Sequence, residues 1–350
     1  MPFIKSTHSI WFNFLSTVDH DIYHLPEYSI LDTTILGGKA LAWYYKINDI
    51  EIIIPLVSRR IGTKNEYFDL SSPYGYPGIL CNKNVDIGLI KEALLKFNEE
   101  AAGAGYVSTF IRLNPFYNPW ILPVDTSYKQ VFHGFTVSVN LVLPLVDIRK
   151  GYSLNHKRDL RKASQMFYSK VNDYLTFDLF ISAYHQTMKR RNASTFYYFS
   201  ESYFPKLRSI LEDKIIYISI FRRDDDRFVC GGLFYLYSQF MHYHLGGTTD
   251  DGLEGSPSKV MIDTAIQVGK YFNASILHLG GGLGASTSNG LFRFKRGFGN
   301  LLHSFSSLRF IHNPSLYGEI LDSSADNVSL ENDFFPSYRK NNSFDLDLLS

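Results

Sequence analysis

The hydrophobic and polar positions of the chain alternate between two periods, and each change of period marks a predicted strand or helix. Apolar residues at every second position, bounded by turn residues, indicate strands, whereas apolar residues three or four apart indicate helices. Strands are predicted at 39–47, 50–61, 65–70, 107–113, 135–145, 214–223, 227–237, 240–248, 275–281 and 304–312. Helices are predicted at 6–18, 84–105, 154–166, 176–192, 200–211 and 256–273, with a turn and short helix at 19–31.

This order of elements predicts an α/β fold of the α+β kind, in which two lobes each carry a mixed β-sheet with helices on its faces. A chain of 350 residues is long for one domain, which also favours two lobes. We place the N-terminal lobe at 1–148 and the C-terminal lobe at 149–312. The segment 313–350 is polar, with clusters of Asn and Ser, and we expect it to wrap the surface or fray.

The composition is that of a soluble globular protein, with 45% apolar and 20% charged residues. Aromatic residues reach 16%, which fits either aromatic cores or clefts lined with tyrosines. The net charge of +1 gives no overall attraction to nucleic acid or to an acidic membrane, so a polyanion site must be a local patch. We expect no DNA partner and at most transient contact with a membrane surface.

The cysteines and the N-terminal sequence indicate a cytoplasmic protein. Cys81 and Cys230 lie far apart in the sequence and show no pairing pattern, which fits a reducing compartment. The first residues lack the pattern of a secretory signal, and no run approaches the ~20 apolar residues that span a bilayer. The chain is expected to carry no transmembrane segment.

The loop DLSSPYGYPG (69–78) is the first candidate for chemistry. Its prolines stiffen the backbone, its glycines permit tight turns, and Tyr74 and Tyr76 project between them. Asp69 ends the preceding strand, where its carboxylate could receive an amine or a hydroxyl. The loop is either a rigid structural corner or a lip that binds substrate at a strand end.

Two basic segments are candidates for anion binding. In GLFRFKRGFG (290–299), an extended conformation would place Arg293 and Lys295 on one face and the phenylalanines on the other, which suits a phosphate. In HKRDLRKA (156–163), basic residues lie near a helix N-terminus, where anions are favoured. Either segment could equally be a solvated basic surface.

Other motifs do not meet the requirements of their chemistry. GGGLGA (280–285) follows a strand, but no helical pattern follows it, so a dinucleotide-binding turn is not supported. His242, His244 and His278 lack an acidic or thiol partner at convincing spacing, so no metal site is predicted. The G-x-S-x-G elbow of serine hydrolases is absent from the sequence.

Taken together, several segments resemble the FemAB-type branch of the GNAT acyltransferase superfamily, over roughly residues 8–310. The glycine-leucine-x-x-phenylalanine-lysine stretch near the C-terminal end is the most specific of them, and SSPYGY resembles the members found in sugar and envelope clusters. The segments that carry the resemblance are DIYHLPEY, DLSSPYGYPG, HKRDLRKA, FYYFSESYF, HYHLGGT and GLFRFKRGFG.

The resemblance implies two tandem GNAT-like lobes, with donor and acceptor bound in a cleft between them or along the second lobe. It implies transfer of an aminoacyl group from a charged tRNA, or of an acyl group from coenzyme A, with no tightly bound cofactor. The family's lysine stabilises a phosphate or developing charge at the donor, and that role maps onto Lys295. The long helical hairpin of the bridge-forming enzymes is missing after 156–163, which weighs against a tRNA donor.

Transfer requires a deprotonated acceptor and a hydrogen-bond donor for the tetrahedral oxyanion. A backbone N–H of strand 240–248 could meet the oxyanion, and Asp69, His242, His244 or a substrate phosphate could take the proton. The residues assigned to catalysis are Lys295, Asp69 and His244. Those assigned to substrate binding are Ser72, Tyr74, Tyr76, His242, Arg158, Arg161 and Arg293.

The function predicted is acyl or aminoacyl transfer onto an amine or hydroxyl of a cell-envelope precursor, such as a nucleotide- or lipid-linked sugar or a peptidoglycan precursor. One alternative is an acetyl-coenzyme A-dependent N-acetyltransferase of a nucleotide-amino sugar, for which DDGLEGSPSKVM (250–261) is a partial match. The acidic residues of that stretch are unwelcome beside a phosphate. A second alternative is a non-catalytic partner in a glycan cluster.

Overall fold

The computed structural model describes residues 2–62, 67–194, 197–200, 202–282, 288–323 and 334–340. The chain forms two units. Unit 1 comprises Met1–His133 with Ser304–Ser350, and unit 2 comprises Gly134–His303. This division differs from the predicted boundaries at 148 and 312. A strand formed near residue 304 pairs with a strand near residue 110, a contact that sequence proximity does not reveal.

The strands of unit 1 pair in the order β1-β2-β3-β4-β6-β13, with both parallel and antiparallel neighbours, and β5 pairs with β3. Its helices are α1 (Ser9–Leu15), α2 (Pro26–Leu36), α3 (Ile87–Gly103) and α10 (Pro314–Ser323). Its strands are β1 (Phe3–Lys5), β2 (Lys39–Ile47), β3 (Ile50–Ile61), β4 (Tyr67–Ser71), β5 (Leu80–Cys81), β6 (Tyr106–Arg112) and, across the unit boundary, β13 (Leu301–Ile311).

The strands of unit 2 pair in the order β7-β12-β11-β10-β9-β8, with both parallel and antiparallel neighbours. Its helices are α4 (Leu145–Gly151), α5 (Leu154–Met166), α6 (Phe177–Arg190), α7 (Tyr203–Leu211), α8 (Pro257–Tyr271) and α9 (Gly290–Arg296). Its strands are β8 (Phe167–Val171), β9 (Ile215–Arg222), β10 (Phe228–Tyr237), β11 (Phe240–Thr248), β12 (Ile276–Gly280) and, across the unit boundary, β7 (Lys129–Asn140).

The hairpin β2–β3 follows the predicted bounds, because its alternating apolar positions and its turn agree. The turn residue Asn48 has φ 53°, a left-handed conformation that asparagine tolerates. Ile47 and Ile50 are paired across the turn, so the register of the whole hairpin follows from it. The predicted strand 65–70 begins in residues outside those described, and its remainder lies in β4.

Each sheet buries an apolar face against a helix. In unit 1, Trp43, Phe97 and Phe310 are fully buried and pack edge to face around α3. In unit 2, alternate residues of β7, β12, β11 and β10 form one apolar face beneath α8. These residues are Val137, Val139, Leu277, Leu279, Met241 and Phe234.

The C-terminal segment does not wrap or fray where the structure describes it, in contrast to the prediction for 313–350. Tyr317 on α10 and Tyr338 are buried and pack with Ile61 and Val107 of the sheet. The aromatic residues Tyr317 and Tyr338, in an otherwise polar segment, are the sequence signal for this packing. Most of 324–350 lies outside the described residues.

Two further predicted elements differ from the structure. The strand predicted at 135–145 is β7, which begins earlier and ends at Asn140, because Pro144 precedes α4. The helix predicted at 256–273 is α8, which begins at Pro257, because Ser256 has φ 62° and its side chain makes no capping hydrogen bond. Among the described helices, none is both long and apolar enough to cross a bilayer.

Candidate functional site

Lys295 lies on a short helix rather than on an extended strand. The Asn289 side chain accepts hydrogen bonds from the backbone N–H groups of Leu291 and Phe292, and this cap starts α9. In a helix, residues two apart do not share a face. Lys295 is therefore buried while Arg293 is exposed, and the predicted pairing of these two cations is wrong.

The amine of Lys295 lies where two parallel strands separate. β11 and β12 pair only from Phe240–His242 with Ile276–His278, after which β11 continues to Thr248. Lys295 Nζ donates to the carbonyl of Gly281, just beyond the end of β12, at 2.6 Å. It also lies 5.9 Å from the ring centroid of Tyr243 on β11. The amine therefore faces an edge of β11 that has no ladder with β12.

The environment of Lys295 disfavours its charged form. The residue is 9% exposed, and in the described part of the chain no carboxylate lies within ion-pair distance of its amine. Burial lowers the pKa of Lys295 from 10.5 to about 7. An amine with this pKa exists in both protonation states at neutral pH, a property typical of reactive rather than structural lysines.

A row of polar side chains lies on the sheet face opposite the apolar core of unit 2. His278 is paired with Ser138 on β7 and with His242 on β11, and His242 is paired with Tyr235 on β10. Directly paired residues project to the same face of a sheet. The Nδ1 atoms of His242 and His278 are 3.2 Å apart, so at most one of the two carries the shared proton.

His278 links this row to Lys295. Burial lowers the pKa of His278 well below 6.5, and His242, His303 and Lys295 lower it further by repulsion. The hydroxyls of Thr136 and Ser138, two residues apart on β7, are fully buried and have no hydrogen-bond partner among the residues that the structure describes. A buried hydroxyl without a hydrogen-bond partner lowers the free energy of unfolding, so these two hydroxyls destabilise the protein.

His244 was predicted to share a face with His242, but a register shift intervenes. The pairing of β10 with β11 passes from Leu245 to Tyr243, which leaves His244 as the extra residue of a bulge. His244 stacks on Tyr235 and its Nε2 lies 3.0 Å from the hydroxyl of Tyr203. Burial, and then His242, lower the pKa of His244 to about 3, which makes it a weak base. Its predicted catalytic role stays a prediction.

In unit 1, the loop 69–78 closes on one residue of the neighbouring strand. Ser72 Oγ accepts from the backbone N–H of Arg112 at 3.0 Å, and the backbone N–H of Gly78 donates to the Arg112 carbonyl at 2.9 Å. Gly78 has φ 62°, and a Cβ there would lie 2.0 Å from Asn118 Oδ1, so only glycine fits. The loop is therefore rigid, as its prolines and glycines predicted.

Tyr74 and Tyr76 are half-buried in this loop rather than projecting freely. The Arg112 guanidinium lies 5.7 Å from the Tyr74 ring centroid. Tyr76 packs edge to face against Tyr23 and Phe305. The substrate-binding roles predicted for Ser72, Tyr74 and Tyr76 stay predictions, although Ser72 uses its hydroxyl to hold the loop. A ligand could contact these two tyrosine rings only on the side that remains exposed.

Asp69 is the centre of a buried ion cluster and not an open carboxylate. Its two oxygens accept hydrogen bonds from Arg59 and Arg339 and from the hydroxyl of Tyr338, at 2.6–3.2 Å. Burial alone would raise the pKa of Asp69, but the two guanidiniums outweigh it and hold the pKa below 3.8. The structure does not support Asp69 as the acceptor base.

Arg158 and Arg161 lie on the exposed side of α5, as the helical prediction required. Arg158 Nε donates to the carboxylate of Asp159 at 3.0 Å. His156, at the start of the same segment, is instead buried, and its Nε2 lies 2.9 Å from the carbonyl of Phe294 on α9. This helix thus positions the α9 segment, while a phosphate contact by the two arginines remains a prediction.

The sequence reasoning missed Asp32, Thr136 and Ser138. Asp32 lies on the buried face of α2, four residues after the buried Tyr28, and an acid on an apolar stripe is the signal that could have found it. Thr136 and Ser138 are ordinary strand residues in sequence terms, so no local signal distinguishes them. Within the described residues, no group of three His, Cys, Asp or Glu side chains could hold a metal ion.

A cleft lies elsewhere in unit 2, away from Lys295. The cleft, of about 1300 Å³, opens between α6 and α7 and is lined by Phe177, His185, Tyr198, Phe204 and Arg208, among others. None of the residues predicted to bind or act on substrate contributes to its lining. The cleft therefore contains none of the groups assigned to catalysis from the sequence, whereas Lys295 lies at the separation of β11 from β12.

Comparison with solved structures identifies the fold. The structure of FemX superposes with a TM-score of 0.68 at 13% identity, covering 91% of this chain and 100% of that one. The chain has the fold of FemX. The structure of L-PGS from Bacillus licheniformis gives a TM-score of 0.52 at 13% identity, covering 91% of this chain and 96% of that one.

The C-terminal domain of a putative lysylphosphatidylglycerol synthetase from Agrobacterium fabrum gives a TM-score of 0.50 at 13% identity, over 85% of this chain and 94% of that domain. No protein-family model and no curated protein matches the sequence. The fold shared with FemX thus confirms the predicted α/β fold class and, at the level of the fold, the predicted resemblance. Identities this low show the fold alone, so the reaction must be argued from the site.

Proposed function

We propose that this protein is an acyltransferase that moves an acyl or aminoacyl group onto an amine or hydroxyl of a cell-envelope precursor. The observation that carries the proposal is the buried amine of Lys295 at the separation of β11 from β12, with a pKa of about 7 and a carbonyl as its hydrogen-bond partner. The FemAB-like fold and the names of its structural neighbours, FemX and a putative lysylphosphatidylglycerol synthetase, support the same reaction class.

The reaction forms one bond and breaks one. The acceptor nitrogen or oxygen attacks the donor carbonyl, the carbonyl oxygen becomes an oxyanion, and the bond to the donor's oxygen or sulfur then breaks. The proton lost by the acceptor ends on the leaving group. Lys295 in its ammonium form would offset the oxyanion, and backbone N–H groups at the open edge of β11 would donate to it. Low exposure strengthens both interactions.

The donor is the first point to test, because aminoacyl-tRNA and acyl-coenzyme A lead to different enzymes. Thermal-shift measurements with coenzyme A, acetyl-coenzyme A, charged tRNA and UDP-sugars should show a shift for the true donor and acceptor, since ligands that bind only the folded state raise Tm. Transfer is then assayed with the donor that binds. A protein that none of these shifts would fit the non-catalytic alternative.

Lys295→Met and Arg293→Met form a matched pair on the same helix for the transfer assay. We expect Lys295→Met to lower kcat by roughly 10²–10³, the usual cost of removing an oxyanion-stabilising group. Arg293 is exposed, so Arg293→Met should leave transfer within about twofold if it does not bind the donor. Full transfer by folded Lys295→Met would overturn the assignment of the donor site.

The acetyl-coenzyme A alternative gains one specific observation. Two of the three acidic residues before α8, which argued against a pyrophosphate there, are paired with arginines. Asp250 binds Arg190, and Asp251 Oδ2 accepts from Arg227 at 2.8 Å. Their negative charge is therefore largely offset near the N-terminus of a 15-residue helix. A thermal shift with acetyl-coenzyme A and none with charged tRNA would select this alternative.

A further inference from the structure

Arg112 is enclosed by the loop 69–78 in unit 1. Ser72 and Gly78 both form hydrogen bonds with the backbone of Arg112, so both ends of the loop are held against this one residue. The side chain of Arg112 is half-buried, with its guanidinium 4.9 Å from the ring centroid of Phe110 and 5.7 Å from that of Tyr74. Aromatic faces on a guanidinium fix its orientation and leave its N–H groups for another partner.

Asp32 approaches the same loop from α2. Its Oδ2 accepts from the backbone N–H of Tyr74 at 3.1 Å, and the residue is only 3% exposed. In the described part of the chain its other oxygen has no hydrogen-bond partner, although that oxygen is not sealed from solvent. The backbone N–H of Tyr74 thus contacts the carboxyl group of Asp32, and the ring of Tyr74 lies near the guanidinium of Arg112.

Among the described residues, the charges of Asp32 and Arg112 are not fully offset by ion pairs. Burial raises the pKa of Asp32 to about 7, against the opposing effects of the Tyr74 N–H, Arg112 and Arg59. Arg59 itself is engaged by Asp69. Among described residues, no carboxylate lies within 4.0 Å of the Arg112 guanidinium. A buried acid and a half-buried base that are not ion-paired are costly unless a ligand completes them.

We propose that Asp32 and Arg112, held by the loop around Tyr74, form a binding site for a ligand with two polar ends: an ammonium or hydroxyl group for Asp32 and an anionic group for Arg112. The half-buried ring of Tyr76, fixed by Tyr23 and Phe305, supplies an apolar surface beside them. This inference rests on the proposed function in one respect, since it describes the acceptor, but the site can be tested by binding alone.

Two kinds of molecule carry these two groups, and four probes separate them. Glucosamine 6-phosphate has an ammonium and a phosphate on a sugar ring, and glucose 6-phosphate replaces the ammonium by a hydroxyl. Alanyl-alanine has an ammonium and a carboxylate without a ring, and inorganic phosphate has the anion alone. Affinities are measured by titration calorimetry on the full chain in the absence of any acyl donor.

The test variants are Asp32→Asn and Arg112→Met, with Glu27→Gln on the exposed side of α2 and Lys39→Met on exposed β2 as matched controls. We expect glucosamine 6-phosphate or alanyl-alanine to bind, and each test variant to raise its Kd roughly 10- to 100-fold. The controls should leave Kd unchanged. The amide oxygen that Asp32→Asn introduces can still accept from the Tyr74 N–H, so loss of affinity in a folded protein reports the charge.

Several outcomes would overturn the site. These are no binding of any probe, binding that Asp32→Asn and Arg112→Met do not weaken, or equal affinity for inorganic phosphate and glucosamine 6-phosphate. Lys295→Met serves as the control that separates the two proposals, because it should retain probe binding. Probe binding that depends on Asp32 and Arg112, in a protein that transfers no acyl group, would sustain this site and contradict the proposed function.

Discussion

Asp69 in unit 1 and Lys295 in unit 2 are both buried charged residues that the sequence placed in the catalytic centre, yet their surroundings differ completely. Asp69 receives two guanidiniums and a phenol, which stabilise its charge. The amine of Lys295 donates a hydrogen bond to one carbonyl, that of Gly281, and burial leaves its charged form unfavourable. A buried ion with matched partners holds a structure together, whereas one without them is retained for what it does.

The largest effect should follow from Asp69→Asn. The change leaves Arg59 and Arg339 buried without their carboxylate, and we expect it to lower the free energy of unfolding by roughly 3–5 kcal/mol. Urea denaturation monitored by fluorescence measures this loss. The exposed pair Asp49–Lys83 offers a control, since Asp49→Asn should cost no more than about 1 kcal/mol. Near-normal stability with lost transfer would restore Asp69 to catalysis.

Lys295→Met should act in the opposite direction on stability. The folded-state pKa of about 7 lies below the ordinary 10.5, so folding releases the proton in that interval and the wild type loses stability as pH falls through it. Methionine removes this penalty, and its advantage should grow from pH 10 to pH 7, to a few kcal/mol at most. Thermal unfolding at both pH values gives the comparison. A variant destabilised at pH 7 would make Lys295 structural.

Asp32→Asn tests whether a second buried charge behaves like Lys295. The pKa of Asp32 is raised to about 7, so the folded state binds the proton more tightly than the unfolded one between pH 4 and pH 7. Wild-type stability from this group is present at low pH and is lost as pH rises through 7. The variant should therefore be more stable than the wild type at pH 8, and similar to it at pH 4, in unfolding experiments. A loss of stability in Asp32→Asn at pH 8 would show that Asp32, like Asp69, stabilises the folded state in its charged form.

The smallest effect should follow from Thr136→Val, which is nearly isosteric. Because the Thr136 hydroxyl is buried and has no hydrogen-bond partner in the described segments, its removal should raise the free energy of unfolding by about 1 kcal/mol. A rise in Tm of a few degrees, with lower transfer, would mark the hydroxyl as functional. Val137→Thr, at the neighbouring position on the apolar face, serves as the reverse control and should destabilise. A loss of stability in Thr136→Val would show that the hydroxyl is satisfied in solution.

The sequence predicted most of the fold because the strands and helices have strong local patterns. The hairpin at Asn48 and the basic helix 154–166 follow their predicted bounds, since period, turn residues and caps agree there. The unit boundary could not be predicted in the same way. It depends on β13 pairing with β6, about 200 residues away, which leaves no local trace.

The candidate site was predicted only in part, for a related reason. Lys295 could be named because a short motif carries it. The sequence could not show that Asp69 is ion-paired whereas Lys295 is not. The ion pairing of Asp69 depends on Arg339, which lies far along the chain in a segment expected to be a loose tail. Arg293 was misplaced because alternating Phe and basic residues fit a strand as well as a short helix, and only the Asn289 cap decides between them.

The protonation state of Lys295 can be measured directly. Competitive labelling of the folded protein with acetic anhydride, quantified for each lysine by mass spectrometry across roughly pH 5–11, reports the fraction of neutral amine at each pH. We expect half-maximal labelling of Lys295 near pH 7, as its pKa of about 7 requires. A midpoint for Lys295 near 10.5 would show that its amine is an ordinary ammonium ion, and the distinction between the two buried charges would fail.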